Sequence, residues 1–136
     1  MTEKEFKALK EHIDKRIAFD MTKINSQLLD GPIFYSTLLQ LFVKENKNLN
    51  LLEQEKDELY ASLYRHFKYD SDVRWETKHE IETQMYTTKP YIVILSKIED
   101  QQEIVTYLQQ QLENVKSLSF AIKNYIDWQK FVSGAS

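Results

Sequence analysis

Hydrophobic positions in the last third of the chain, from about residue 88 to residue 131, recur every three or four residues. This spacing is typical of one long helix whose apolar side chains form a continuous seam. At 1.5 Å per residue, such a helix reaches roughly 65 Å. We predict that it assembles with other copies, the alternative being a long helix packed only on its own chain. The predicted contact positions are Ile98, Val105, Leu108, Leu112, Val115, Leu118, Ile122, Tyr125 and Ile126.

Two earlier stretches also carry the pattern of amphipathic helices. The first runs from Phe6 to Leu28, with Lys and Glu between its apolar positions. Asp30-Gly31-Pro32 predicts a break or a bend, because proline has no backbone N–H to donate to the preceding turn. A second helix is predicted from Phe34 to Phe67, with a possible loosening at the asparagine-rich stretch 46–50.

Residues 69–87 form the predicted connector to the long helix. Tyr69 to Arg74 is polar and lacks periodicity. His79 to Met85 alternates between apolar and polar positions, which allows either a short edge strand near 79–86 or a turn of helix. Thr87 or Thr88 is the expected cap of the long helix, and Pro90 then falls in its first turn, where proline is tolerated.

The sequence therefore predicts a mainly α protein built from long amphipathic helices. We expect an N-terminal helical region at 1–68, the connector at 69–87 and a C-terminal assembly helix at 88–136, together forming one compact domain. The small residues of the tail, 133–136, are expected to be mobile.

Composition narrows the class of protein. A chain of 136 residues is one domain that can bury a core, and its two Gly and two Pro argue against an architecture of strands and hairpins. The lack of cysteine excludes disulfides and thiolate metal sites. Neither a signal-peptide core nor a membrane-length apolar run is present, so a cytoplasmic location is expected. The formal charge of −3 requires any nucleic-acid binding to come from a local patch.

Catalytic signatures are missing from the sequence. His12, His66 and His79 are far apart, and two glycines cannot form a phosphate-binding loop. Glu76, His79 and Glu80 could share a helical face and hold a divalent ion, which leaves a small metal enzyme as an alternative. We predict that the protein is not an enzyme and uses no cofactor or metal ion.

Aromatic and basic residues interleave between residues 60 and 78. Single-stranded nucleic acid is bound by such surfaces, because rings stack on bases of any identity while cations follow the phosphates. Three acidic side chains lie in the same stretch, and the alternative for Tyr60, Leu63 and Phe67 is a place in the core. The predicted nucleic-acid-binding residues are Tyr60, Tyr64, Arg65, Lys68, Tyr69, Arg74, Trp75, Lys78 and Lys89.

A C-terminal motif adds a family resemblance. Phe120-Ala121-Ile122-Lys123, followed by Asp127 and Phe131, resembles the C-terminal signature of the UvsY-type recombination mediators of T-even-type bacteriophages. The resemblance covers nearly the whole chain. Further positions in register with the family are Lys23-Ile24, Tyr35-Ser36, Leu59, Ala61, Leu63, Lys78, Glu80 and Lys89.

The resemblance implies a helical, non-enzymatic protein of the infected bacterial cytoplasm that acts in DNA recombination and repair. It implies a ring-like homo-oligomer, joined through the C-terminal region, of roughly six or seven subunits. The implied partners are single-stranded DNA, a RecA-like phage recombinase and the phage single-strand-binding protein, which the recombinase replaces with this protein's help. The alternative is a helical oligomeric adaptor that does not bind nucleic acid.

The DNA-binding motif of the family has the form Leu-Lys-Ala-Arg-Leu. The matching run here is Leu59-Tyr60-Ala61-Ser62-Leu63, which lacks both basic residues. Two hypotheses follow: the charge has moved to Arg65 and Lys68, or Tyr60 makes the contact by stacking on a base.

Overall fold

Four α-helices account for most of the chain in the computed structural model, which describes residues 1–134. The helices are α1 (Glu3–Ile17), α2 (Ile24–Arg65), α3 (Lys78–Tyr86) and α4 (Lys89–Val132). A 3₁₀ turn, Met21–Lys23, precedes α2, and a π-helical turn, His66–Asp70, follows it. Residues 1–134 contain no β-strand, so the predicted all-helical class is confirmed. The last two residues of the predicted mobile tail lie outside the described residues.

The connection between α1 and α2 differs from the prediction. The sequence pattern predicts one helix through Leu28, but α1 ends at Ile17 and Ala18 is extended. The Asp20 carboxylate accepts a hydrogen bond from the Thr22 backbone N–H (2.9 Å) and another from the Thr22 hydroxyl (2.6 Å). An Asp that binds the backbone two residues later favours a helix start over a helix interior. Leu28 therefore belongs to α2.

The predicted break at Gly31 and Pro32 is absent. Helix α2 runs through both residues and through the asparagine-rich stretch without interruption, over 42 residues. A proline in a helix interior costs about 3 kcal/mol relative to alanine. Packing along the rest of this long helix must offset that cost, because helical stability in proteins comes mostly from the buried face.

Of the two alternatives for residues 79–86, the edge strand is wrong, because these residues belong to helix α3. Thr77 and Glu80 make a capping box: Glu80 N–H donates to the Thr77 hydroxyl (3.2 Å), and Thr77 N–H donates to the Glu80 carboxylate (3.4 Å). Ile81 and Met85 are both buried. Residues four apart share a face in a helix as well as in a strand, so the alternation did not separate the two.

The side chains of Thr87 and Thr88, the predicted cap residues of α4, form hydrogen bonds with the end of the preceding helix, α3. The Thr87 hydroxyl donates to the Gln84 carbonyl (2.8 Å), and the Thr88 hydroxyl donates to the Met85 carbonyl (2.7 Å). Both hydroxyls thus satisfy carbonyl groups at the end of α3, which a helix leaves without partners. Helix α4 begins at Lys89, with Pro90 in its first turn as expected.

The chain divides into two compact units, and both α2 and α4 contribute to each. Unit 1 comprises residues 1–43 and 106–136, and unit 2 comprises residues 44–105. In unit 1, Phe6 packs edge-on against Tyr107, with ring centroids 5.4 Å apart. Its buried core is Phe6, Ile13, Leu38, Leu108, Leu112, Val115 and Ile122, and that of unit 2 is Leu49, Ile81, Met85, Tyr91, Ile94, Ile104 and Val105.

Much of the α4 seam is buried within the chain itself. Leu108 is fully buried, and Val105, Leu112, Val115 and Ile122 are at most 7% exposed. The other predicted contact positions, Ile98, Leu118, Tyr125 and Ile126, are half-buried. The buried positions are therefore already covered by their own chain. A role for any seam residue in oligomerisation stays a prediction.

No helix among residues 1–134 combines the length and apolar character needed to cross a bilayer.

A polar pair lies inside unit 2. Glu45 is 2% exposed, and its carboxylate accepts a hydrogen bond from the Gln101 side-chain amide (2.8 Å). The same amide also donates to the Glu45 backbone carbonyl (2.8 Å). Asn48 donates more weakly to the carboxylate, at 3.4 Å. Gln101, a polar position in an apolar seam, thus links α4 to α2.

We expect Gln101→Ala to lower the free energy of unfolding by about 1–3 kcal/mol, because the buried Glu45 carboxylate loses its closest donor. Urea denaturation measures this change. Gln109→Ala, an exposed glutamine on the same helix, is the matched control and should stay within about 0.5 kcal/mol of the native chain. Equal stability of the two variants would contradict a structural role for the pair.

Candidate nucleic-acid interface

The predicted binding residues lie in unit 2, and all but Lys89, the first residue of α4, lie between the end of α2 and the start of α3. The π-helical turn contacts α3. Tyr60 and Tyr64, one helical turn apart, have stacked rings with centroids 6.1 Å apart. The Lys68 ammonium lies 5.7 Å from the Tyr64 ring centroid and 5.3 Å from that of Tyr69. Three aromatic rings and one ammonium group therefore form a row that runs from the end of α2 into the π-helical turn.

Glu82, a residue of α3, links the aromatic residues at the end of α2 to α3. The Tyr60 hydroxyl donates to one carboxylate oxygen (2.9 Å), and the Tyr86 hydroxyl donates to the other (3.0 Å). The Lys78 ammonium lies 3.6 Å from the carboxylate. Because both oxygens accept hydrogen bonds, the carboxylate of Glu82 ties the end of α2 to α3.

These hydrogen bonds shift the pKa values of the groups that make them. Donation by Tyr60, then by Tyr86, lowers the pKa of the Glu82 carboxyl, and the nearby Lys78 charge lowers it further. The same bond raises the pKa of Tyr60 to about 12, since ionisation would place a phenolate against a carboxylate. The pKa of Tyr86 is raised for the same reason. The cluster is therefore held as a carboxylate with two neutral phenols.

Two of the predicted binding residues are engaged by Glu82, and a third is partly buried. The Tyr60 hydroxyl is bound to Glu82, and Lys78 is paired with the same carboxylate although its side chain is 71% exposed. Trp75 is half-buried, and its indole N–H is buried without a hydrogen-bond partner in the described part of the chain. The role of these three in nucleic-acid binding stays a prediction.

Five of the other six predicted binding residues are exposed. Arg65, Lys68, Arg74 and Lys89 are exposed, and Tyr69 is 70% exposed. Tyr64 is half-buried between Tyr60 and Lys68, and Leu63 and Phe67 are also half-buried. The structure thus brings Tyr64, Lys68 and Tyr69 into contact, with Arg65 exposed on the preceding turn.

The proposed metal alternative is not supported by the arrangement of its residues. The Glu80 carboxylate accepts backbone hydrogen bonds from Glu76 (3.0 Å) and Thr77 (3.4 Å), so it caps α3. Across residues 1–134, no group of three His, Cys, Asp or Glu side chains is placed to hold a metal ion.

Sequence reasoning missed Glu82, which organises the cluster. Lys78, Glu82 and Tyr86 stand four residues apart, so one face of a helix could have been suspected. The partner Tyr60 is 22 residues away. No local pattern signals that contact.

We expect Glu82→Gln to lower the pKa of Tyr60 from about 12 towards the ordinary value of about 10, because no carboxylate then opposes the phenolate. Phenolate absorbance during an alkaline titration measures this shift. Glu58→Gln, an exposed change on α2, should leave the titration unaltered. An unchanged titration in Glu82→Gln would contradict the assigned bond.

The same cluster has a predictable effect in acid. The folded-state pKa of Glu82 is lowered, so its contribution to stability is complete above the unfolded value of about 4.3 and is lost as the pH falls through the lowered value. Tyr60→Phe removes the largest cause of this shift. Its free energy of unfolding should therefore fall less between neutral pH and acid than that of the native chain.

Comparison with known proteins shows which family the sequence of this chain matches. The family described as "Recombination, repair and ssDNA binding protein UvsY" matches residues 12–135. Among curated proteins no significant match is found. The crystal structure of the bacteriophage T4 recombination mediator protein UvsY in lattice type IV is similar, with a TM-score of 0.80 and 19% identity over 93% of this chain and 97% of that one. The lattice type II structure has a TM-score of 0.80 and 23% identity over 98% of each chain.

The likeness to these crystal structures establishes a shared fold. The family match spans all four helices, from within α1 to beyond the end of α4. It includes the C-terminal motif around Ile122, on which the resemblance rests. The chain therefore belongs to the UvsY family, which is described as acting in recombination and repair and binding single-stranded DNA.

Proposed function

We propose that this protein binds single-stranded DNA, assembles as a ring and helps a RecA-like recombinase replace the single-strand-binding protein. Membership of the UvsY family supports the proposal. The observation that carries the DNA-binding part is the row of rings and cations at the end of α2. We call this the α2-end surface and define it as Tyr64, Arg65, Lys68, Tyr69 and Arg74.

The chemistry of the α2-end surface suits a flexible single strand. Tyr69 offers an exposed ring on which a base of any identity can stack, at about 1–3 kcal/mol per base. Lys68 lies beside that ring, and Arg65 and Arg74 are exposed nearby in sequence, so phosphates can be neutralised along the strand. A surface of this kind has little sequence preference, as a mediator that acts on any DNA requires.

The structure suggests how this chain compensates for the missing basic residues of the family motif. Tyr60 stands where the motif has Lys, but its hydroxyl is bound to Glu82. Ser62 stands where the motif has Arg, and it is exposed. Arg65 follows Ser62 by three residues and so lies on the same helix face. We infer that the positive charge has moved to Arg65, at the end of α2, and to Lys68, in the π-helical turn that follows.

We expect Arg65→Ala, Lys68→Ala and Arg74→Ala each to weaken binding of single-stranded oligonucleotides of any sequence. Each phosphate that is no longer neutralised should lower the slope of log K against log salt by about 0.7. Fluorescence anisotropy at several salt concentrations measures both effects. Lys47→Ala removes an exposed charge roughly five turns earlier on α2 and should change neither. A triple variant with native affinity would place the DNA elsewhere.

Assembly into a ring would increase the affinity for a strand that each protomer binds only weakly. The chain has a formal charge of −3, so one protomer has only a local attraction for DNA. A ring presents the α2-end surface several times, and binding at one copy raises the effective concentration of the strand at the next. Several weak contacts can then hold a strand that no single copy would hold.

We infer that copies meet at the exposed C-terminal end of α4. Phe120 is 66% exposed, Trp128 59% and Phe131 83%. Trp128, Phe131 and Val132 are spaced as neighbours on one helix face, next to the half-buried Tyr125, whose ring centroid lies 6.2 Å from that of Trp128. Large aromatic side chains on an exposed face are typical of protein interfaces.

We expect Trp128→Ser with Phe131→Ser to reduce the native mass to that of a monomer and to weaken DNA binding at least tenfold, because avidity disappears with the ring. Native mass spectrometry and anisotropy measure the two effects. Leu51→Ser, at an exposed apolar position of unit 2, is the matched control and should change neither. A monomeric variant that keeps native affinity would contradict the avidity argument.

A further inference from the structure

A second basic site lies in unit 1, away in sequence from the α2-end surface. It is a cleft of about 330 Å³, which is within the size range of ligand pockets. Three helices and the 3₁₀ turn contribute to its walls. We call it the unit 1 cleft, and the lining residues used below are Lys15, Arg16, Lys23, Phe34, Leu118 and Ile122.

One side of the unit 1 cleft is positively charged. Lys15 and Arg16 come from the last turn of α1, and Lys23 comes from the 3₁₀ turn. Within residues 1–134 none of the three forms a salt bridge. Asp30 is the one carboxylate of the lining, and it accepts a hydrogen bond from the Ser26 hydroxyl (3.2 Å). The cleft therefore attracts an anion.

Local structure explains why these cations meet. The chain turns at Ala18, and the Gln27 side-chain amide donates to the Ala18 carbonyl (2.8 Å). This bond ties the end of α1 to the first turn of α2. Lys15 and Lys23, eight positions apart in sequence, consequently line one cleft.

The opposite side of the unit 1 cleft is apolar. Leu118 and Ile122 of α4 line it together with Phe34 of α2. The Arg16 guanidinium lies 4.7 Å from the Phe34 ring centroid. Aromatic rings and guanidinium groups are both groups against which bases stack. Gly31 also lines the cleft, and a Cβ there would meet no heavy atom within 4 Å.

A ligand that satisfies both sides carries a negative charge and a flat, weakly polar body. A nucleotide has both, as a phosphate and a base. An acidic peptide would satisfy the cations but would leave the apolar side uncovered. The cleft chemistry therefore favours a nucleotide over an acidic segment of protein.

We propose that the unit 1 cleft holds one nucleotide of the bound single strand, with its phosphate at Lys15 and Lys23 and its base beside Arg16 and Phe34. This inference rests on the proposed DNA-binding function and adds a site that the family motif does not contain. Stacking and charge carry the binding, so the site accepts any base.

Two variants test the cleft without disturbing the core. Lys15→Ala with Lys23→Ala removes the charge, and Gly31→Leu adds a side chain at a position of the lining where a Cβ meets no heavy atom within 4 Å. Lys4→Ala with Lys7→Ala is the matched control, because it removes the same charge from exposed positions of α1 outside the lining. Thermal unfolding of each variant verifies that the fold is retained.

Anisotropy with a labelled oligonucleotide gives the readout. We expect both cleft variants to weaken binding roughly fivefold or more relative to the control. The double lysine variant should also lower the salt slope by about 0.7 for each phosphate that the cleft no longer neutralises. On a strand with abasic sites, Gly31→Leu should weaken binding less, because such a strand has no base that the leucine side chain could displace from the cleft.

The outcomes separate this inference from the proposed function. If the native protein binds the strand and the cleft variants bind as the control does, the cleft proposal is wrong and the DNA-binding proposal stands. If the native protein binds no strand, both are wrong. Cleft-dependent binding of free deoxynucleotides or of oligoglutamate, with strand binding unaffected, would also overturn the proposal and assign the cleft to a small nucleotide or an acidic protein segment.

Discussion

The apolar stripe of α4 is the constraint that the other elements satisfy. A helix of 44 residues with a continuous hydrophobic face cannot remain uncovered in water. The chain covers most of that face itself, burying Val105 in unit 2 and Leu108, Leu112 and Val115 in unit 1. Large apolar side chains of α4 are exposed near both of its ends, for example Ile92 at 54% and Phe131 at 83%. The same helix thus supplies the core and the surface at which we place assembly.

Two polar clusters fix how the helices of unit 2 meet. Gln101 binds Glu45 between α4 and α2, and Glu82 binds Tyr60 between α3 and α2. Apolar packing alone tolerates small shifts along a helix, whereas a buried or half-buried hydrogen bond is broken by them. The first pair is far along α2 from the α2-end surface. The second lies beside it, so the fold of α3 and the position of the aromatic row depend on the same carboxylate.

The basic residues are grouped at two sites, which gives a protein of net negative charge local surfaces that can attract DNA. The formal charge is −3, yet Arg65, Lys68 and Arg74 are exposed in unit 2, and a separate set of cations lines the cleft of unit 1. Each set is small, so each would bind weakly and reversibly. In the function that we propose, weak contacts repeated over several copies would let the protein give its strand to another, because no single contact resists release.

The sequence by itself determined the helical class, the extent of α4 and the family, because long periodic segments and a C-terminal motif are local signals. It also identified the aromatic and basic residues near the end of α2. It did not determine where α1 ends, whether residues 78–86 are strand or helix, or that Tyr60 is bound to Glu82. Those outcomes depend on the Asp20 cap, on the capping box at Thr77 and on a contact between residues 22 apart. An apolar stripe specifies that a face must be covered but does not specify by what. Only the tertiary structure decided that the chain buries Leu108 itself, because that depends on how distant helices pack rather than on the stripe's own pattern.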